Sequence, residues 1–139
     1  MMPEKTESFP SREAERMHIL LVDDETEFLE LMTKRLDRRN FQVTTASTGE
    51  AALEALARIP VDVVVLDVRM PGMGGIETLR RLKAMAPDIE VILLTGHANM
   101  EVAVEGMELG AFDYLLKPVA INDLIFKIQD AAKKSGKLT

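Results

Sequence analysis

The chain has 139 residues, 47% hydrophobic and 29% charged, with a formal net charge of −6; this is one domain's worth of globular sequence, and its acidity argues against nucleic-acid binding by bulk charge. It contains no cysteine, which excludes a disulfide scaffold and a thiolate metal site and fits a reducing compartment such as the cytoplasm. No apolar run approaches the roughly 20 residues that span a bilayer, so no membrane partner is expected, and residues 1–16, MMPEKTESFPSREAER, lack the apolar stretch of a signal peptide and read as a flexible leader.

After the leader the chain alternates between two periodicities. His18-Ile19-Leu20-Leu21-Val22 is a short apolar run closed by Asp23-Asp24. Phe28, Leu31, Met32, Arg35 and Leu36 recur at spacings of three and four, as on one stripe of a helix, and Asn40 is a stop. Phe41 to Thr45 alternates and reads as a strand. Ser47-Thr48-Gly49-Glu50 supplies cap residues for a helix carrying Ala51, Leu53, Ala55, Leu56 and Ile59, which Pro60 ends.

Val61 to Leu66 is the third strand, and the loop from Met70 to Gly75, with Pro71 and three glycines, breaks the chain. Ile76, Leu79, Leu82 and Met85 form the next helical stripe, closed by Pro87. Val91 to Leu94 is the fourth strand, Met100 to Leu109 the fourth helix with Gly110 as its cap, and Asp113 to Leu116 the fifth strand. Ile121, Leu124, Ile125 and Ile128 mark the last helix, which reaches about residue 134, and residues 135–139 form a tail or linker stub.

Strand then helix, five times over, means a parallel sheet covered by helices on both faces. Five units are too few for an eight-stranded barrel. They fit an open, doubly wound α/β sheet, whose ligands bind beyond the carboxyl ends of the strands.

Those strand ends carry the chemistry. The first ends in Asp23-Asp24, the third in Asp67, the fourth in Thr95 and the fifth in Lys117, followed by Pro118. Three aspartates and one lysine at one sheet edge crowd negative charge, and two unit charges 4 Å apart repel by about 4 kcal/mol at an effective dielectric near 20. A divalent cation removes that repulsion, and oxygen ligands suit a hard ion such as Mg²⁺, with Mn²⁺ an alternative. Mg²⁺ also favours phosphate oxygens, so the set points to phosphoryl transfer, with Asp67 as nucleophile and Lys117 and Thr95 as partners of the phosphoryl oxygens.

The motifs LLVDDE, VVVLDVRMPGMGG, VILLTG and DYLLKP, in that order, make residues 17–134 resemble the receiver domain of bacterial two-component response regulators. The resemblance implies a flavodoxin-like fold, a (βα)5 three-layer sandwich with strand order 2-1-3-4-5. It implies that Asp67 accepts a phosphoryl group from a sensor histidine kinase or phosphotransfer protein. Asp24 and Asp67, Asp23 partly through water, and the backbone carbonyl of Arg69 would bind Mg²⁺. Lys117 would pair with the phosphate, and Lys117-Pro118 would be a cis peptide.

It further implies a switch in which Thr95 moves toward the phosphoryl group and Tyr114 swings inward behind it. The helix Met100–Leu109, the strand Asp113–Leu116 and the helix from Ile121 would form the moving face, open to a partner or a homodimer. Arg69 and His97, two residues after Asp67 and Thr95, flank the site and are expected to tune the lifetime of the phosphoryl group. The stretch TGHANMEVAVEGMELGAFDYLLKP looks most like receivers of the nitrogen-regulation class, so the chain reads either as a single-domain regulator or as a receiver excised from a longer one.

Three rivals are weighed by residues. A Mg²⁺-dependent aspartyl phosphatase would want an acid two residues after the nucleophile, where Arg69 stands. An electron-transfer flavoprotein of this topology would want a Ser/Thr/Gly phosphate loop where Asp23-Asp24-Glu25 stands. A receiver fold serving only as a phosphorylation-independent interaction module would be expected to have lost one of the acids or Lys117, and all are present.

Overall fold

The computed structural model describes residues 16–136. Most of the expected leader and the end of the expected tail therefore lie outside the described residues. The elements are β1 (His18–Val22), α1 (Thr26–Arg38), β2 (Gln42–Ala46), α2 (Gly49–Arg58), β3 (Val63–Asp67), α3 (Gly74–Met85), β4 (Glu90–Thr95), a single 3₁₀ turn (His97–Asn99), α4 (Met100–Glu108), β5 (Asp113–Leu116) and α5 (Ile121–Lys134). All strand pairs are parallel and the order is β2-β1-β3-β4-β5, the doubly wound order expected from the sequence.

Two cores sit on the two faces of the sheet. Ile19, Leu21, Val63, Val65, Ile92 and Leu94 face α1 and α5, while Leu20, Val64, Leu66, Val91 and Leu93 face α2, α3 and α4. Each fully buried Leu, Ile or Val in these layers stabilises the fold by about 2 kcal/mol. The interior strands β3 and β4 are buried at every residue, whereas the edge strands β2 and β5 are partly open. No helix among the described residues is long and apolar enough to cross a membrane.

Several local devices set the elements in place. Asn40 adopts a left-handed φ of 72° and turns the chain from α1 into β2. The Thr48 hydroxyl caps α2 by accepting from the Ala51 N–H at 3.0 Å. β3 starts later than the apolar run suggests because Asp62 joins β1 differently. Its carboxylate accepts from the His18 N–H at 2.8 Å while its own N–H donates to the His18 carbonyl at 2.8 Å, so ladder pairing begins with Val63.

The stripe of α1 that enters the core is Leu29, Met32 and Leu36. Leu31 is 48% exposed, off the core side, while Phe28 is half-buried and packs at the edge of the core. Arg16, read from sequence as the end of the leader, belongs with the domain, bonding Asp37 Oδ1 at 2.7 Å and the Phe41 carbonyl.

Candidate functional site

Parallel register delivers the polar strand ends to one edge. Val22 of β1 pairs with Leu66 of β3, and Asp67 pairs with Leu94 of β4, so Asp23, Asp67 and Thr95 follow one another across three neighbouring strands. The carboxylate oxygens of Asp23, Asp24 and Asp67 all lie within 4.8 Å of one another. Asp23 is fully buried, Asp67 is 5% exposed, and Asp24 faces solvent.

Lys117 follows directly on β5, and the Lys117-Pro118 bond after it is cis. Its ammonium donates to Asp23 Oδ2 at 2.7 Å and Glu25 Oε1 at 3.2 Å, and lies 3.7 Å from Asp67 Oδ1. Asp23 Oδ1 accepts from the Glu25 N–H at 2.9 Å. Asp24, Glu25, Asp67 and Lys117 border an open cleft of about 570 Å³ lined also by Arg69, Met70, Pro71, Gly96 and Asn99.

Burial costs a charge more than any other shift of environment here. It pushes the Asp67 carboxyl up to about 6, helped by the neighbouring Asp23 charge and opposed by Lys117 and the Arg69 N–H. Burial also raises Asp23, and the hydrogen bond from Lys117 offsets only part of that. For Lys117, burial pulls the ammonium's pKa down, but Asp23, Asp67 and Glu25 outweigh it and the net shift is upward. Three carboxylates gathered within 4.8 Å, two of them buried, have the donor chemistry of a hard divalent cation site, and Mg²⁺ fits the residues present.

The remaining expected residues lie around this centre. Thr95 is fully buried, its hydroxyl shared between the carbonyls of Gly96 at 3.1 Å and Asn99 at 3.2 Å. Tyr114 is half-buried against the core beneath α4. Arg69 is exposed on the cleft wall, and His97 is exposed in the 3₁₀ turn, outside the cleft lining. Spacing-based reading missed Glu25 and Phe28. Glu25 touches Lys117, and the Phe28 ring centroid lies 4.6 Å from the same ammonium. The available signal was a glutamate at the helix cap position, where Ser, Thr, Asp or Asn is favoured.

Residues 19–129 match the family described as "Response regulator receiver domain". The transcriptional regulatory protein FixJ of Bradyrhizobium diazoefficiens is 38% identical over 118 residues, which is 85% of this chain and 58% of FixJ. The chain thus spans little more than half of that relative's length. Among solved structures, a response regulator receiver domain protein from Clostridium thermocellum superposes with a TM-score of 0.83 at 35% identity, covering 86% of this chain and 97% of the other. The receiver domain of NtrX from Brucella abortus gives 0.78 at 32%, covering 83% and 98%.

Proposed function

This chain belongs to the response regulator receiver domain family of two-component signalling systems, and from that premise we propose that Asp67 takes up a phosphoryl group from a phosphohistidine on a sensor kinase or phosphotransfer protein. An Asp67 carboxylate oxygen bonds to phosphorus as the phosphorus–nitrogen bond breaks, and the electron pair leaves with the imidazole. The observation that carries this reading is the convergence of three carboxylates within 4.8 Å with Lys117 beside them at the open sheet edge.

Asp23, Asp24 and Asp67, with the Arg69 carbonyl, would hold Mg²⁺, or Mn²⁺ in its place. When bound, the ion supplies positive charge to the transferring oxygens. Asp67 is the nucleophile. Lys117 neutralises and orients the incoming group. Thr95 must give up its bonds to Gly96 and Asn99 to donate to a phosphoryl oxygen, and that exchange is the switch. Tyr114, on the neighbouring strand β5 and paired with Leu93, follows inward. The consequence reaches α4, β5 and α5, where a partner, an output domain or a second copy would read it. Arg69 on the cleft wall and His97 in the turn after Thr95 would tune phosphoryl lifetime. The reaction is the domain's own phosphorylation and dephosphorylation, and we place it in the cytoplasm.

Intact mass after incubation with phosphoramidate, with and without Mg²⁺, on the parent and on Asp67→Asn, tests the proposal. A gain of one phosphoryl group that needs both Mg²⁺ and Asp67 is expected. A folded parent that binds Mg²⁺ yet gains nothing would leave a phosphorylation-independent interaction module instead.

A further inference from the structure

The Lys117 ammonium has neighbours on two sides. Toward the strand ends are Asp23 Oδ2 at 2.7 Å and Asp67 Oδ1 at 3.7 Å. Toward α1 are Glu25 Oε1 at 3.2 Å and the Phe28 ring at 4.6 Å. The second pair stands outside the carboxylate triad that suits a metal. An ammonium within about 6 Å of a ring centroid is attracted by the negative face of the ring, and Glu25 and Phe28, three residues apart, lie on one side of the first turn of α1.

Glu25 occupies the N-cap of α1, yet its side chain makes no capping hydrogen bond. Any rotamer there would gain from the positive end of the helix dipole. The one adopted crosses to a lysine 92 positions away in the sequence. Four groups thus share the resting ammonium: Asp23 Oδ2 holds it at 2.7 Å, Glu25 and Phe28 hold it on the α1 side, and Asp67 Oδ1 stands at 3.7 Å.

We propose that Glu25 and Phe28 form a berth that holds the Lys117 ammonium aside from Asp67, so that leaving this berth opposes phosphoryl acceptance. The inference rests on Asp67 being the phospho-acceptor. A phosphoryl group on Asp67 offers the ammonium a partner of higher charge and competes with Glu25 for it. Glu25 is therefore a positioning residue: neutralising it frees Lys117 to turn toward Asp67, and a phosphoryl-like anion binds more readily. Phe28 fixes where the ammonium waits. This makes the sequence around the first turn of α1 a determinant of how easily the domain is activated, separate from its metal ligands.

The experiment is NMR on protein labelled with ¹³C-lysine, with Lys117 identified by Lys117→Arg, and titrated with Mg²⁺ and then with beryllofluoride as a phosphoryl mimic. In the parent, the Lys117 Hε signals are shifted upfield by the Phe28 ring. Phe28→Leu abolishes that shift, and beryllofluoride with Mg²⁺ reduces it in the parent. Glu25→Gln lowers the beryllofluoride midpoint about three- to tenfold while moving the Mg²⁺ midpoint by about twofold or less, a split that general loosening of the fold would not produce. An unshifted Lys117 signal in the parent, or an unchanged beryllofluoride midpoint in Glu25→Gln, overturns the berth and leaves the acceptor reading intact. A ring-shifted Lys117 in a parent that binds Mg²⁺ but no beryllofluoride overturns the acceptor reading, and the opposition to phosphoryl acceptance with it.

Discussion

Gly75 packs on Val68 so closely that a β-carbon at residue 75 would lie 2.5 Å from the Val68 Cα and 2.6 Å from its carbonyl oxygen. The Gly75 N–H donates to that same carbonyl at 3.2 Å. The start of α3 is thereby clamped to the backbone directly after Asp67, and the Met70–Pro71 wall of the cleft is folded between them.

Gly75→Ala is expected to cost about 1–3 kcal/mol, because backbone rather than a flexible side chain must move, and to slow phosphorylation. Its neighbour makes the contrast. Gly74 has open space where a β-carbon would go, but its φ is +77°, so Gly74→Ala is expected to cost about 1 kcal/mol through conformation alone. Urea unfolding of both variants, with phosphorylation rates beside it, checks the pair. Equal rates in both variants would show that the Val68 clamp does not position Asp67.

Asp67 has a carboxyl pushed up to about 6 from 3.8, so the folded protein holds that proton more tightly than the unfolded chain. The stability this contributes is complete below about pH 3.8 and is lost as pH rises through about 6. Above that the ionised group weakens the metal-free fold by about 3 kcal/mol. Asp67→Asn never ionises. In EDTA its advantage over the parent should be about 2–3 kcal/mol at pH 8 and shrink toward zero below pH 4. A pH-independent difference in unfolding free energy would refute this origin.

Lys117→Ala leaves fully buried Asp23 and nearly buried Asp67 without their ammonium. Lys117 is itself 23% exposed, which places the loss below the usual range for broken buried pairs, at about 2 kcal/mol. Mg²⁺ should restore most of it and bind more tightly than to the parent, since a competing positive charge has gone. Thermal melts in EDTA and in Mg²⁺ decide this: a deficit of equal size in both would mean that packing, not charge, was lost.

Glu90, at the opposite end of β4 from Thr95, is 6% exposed, with Oε1 unbonded and Oε2 3.6 Å from Lys134 Nζ. A long contact to a largely exposed ammonium repays little of the burial of a carboxylate. Glu90→Gln is expected to stabilise the domain by about 1 kcal/mol at pH 7, and Lys134→Ala to change it by less than that. A Glu90→Gln protein weaker than the parent in urea unfolding would contradict the account.

Much of this architecture is legible in the chain because β1, β3 and β4 announce themselves twice, as apolar runs and as runs stopped by Asp23, Asp67 and Thr95. Helix α1 shows where spacing stops informing. Its periodicity nominates Phe28 and Leu31 for the core, but Leu29 is buried while Leu31 is exposed, and Phe28, half-buried at the edge of the core, also presents its ring to Lys117. No pattern local to residues 25–28 reports on residue 117. The pairing exists only once β5 has been laid against β4, and that distance in sequence hid Glu25 as well. The clamp at Gly75 was visible only as one glycine among three in a turn.

The tips of β1 and β3 are set by register, and register has a second guardian. Every residue from Ile19 to Val22 and from Val63 to Asp67 is buried, with alternate side chains committed to opposite cores. Sliding β3 by one residue would carry Asp67 about 3.3 Å and also send Val64 and Leu66 into the wrong layer. The distance between the acids is thus enforced by oil on both sides of the sheet, not by the acids, which repel. Solvent-facing helix residues that touch none of the charged groups lie outside that enforcement, so changes there leave the dimensions of the centre as they are.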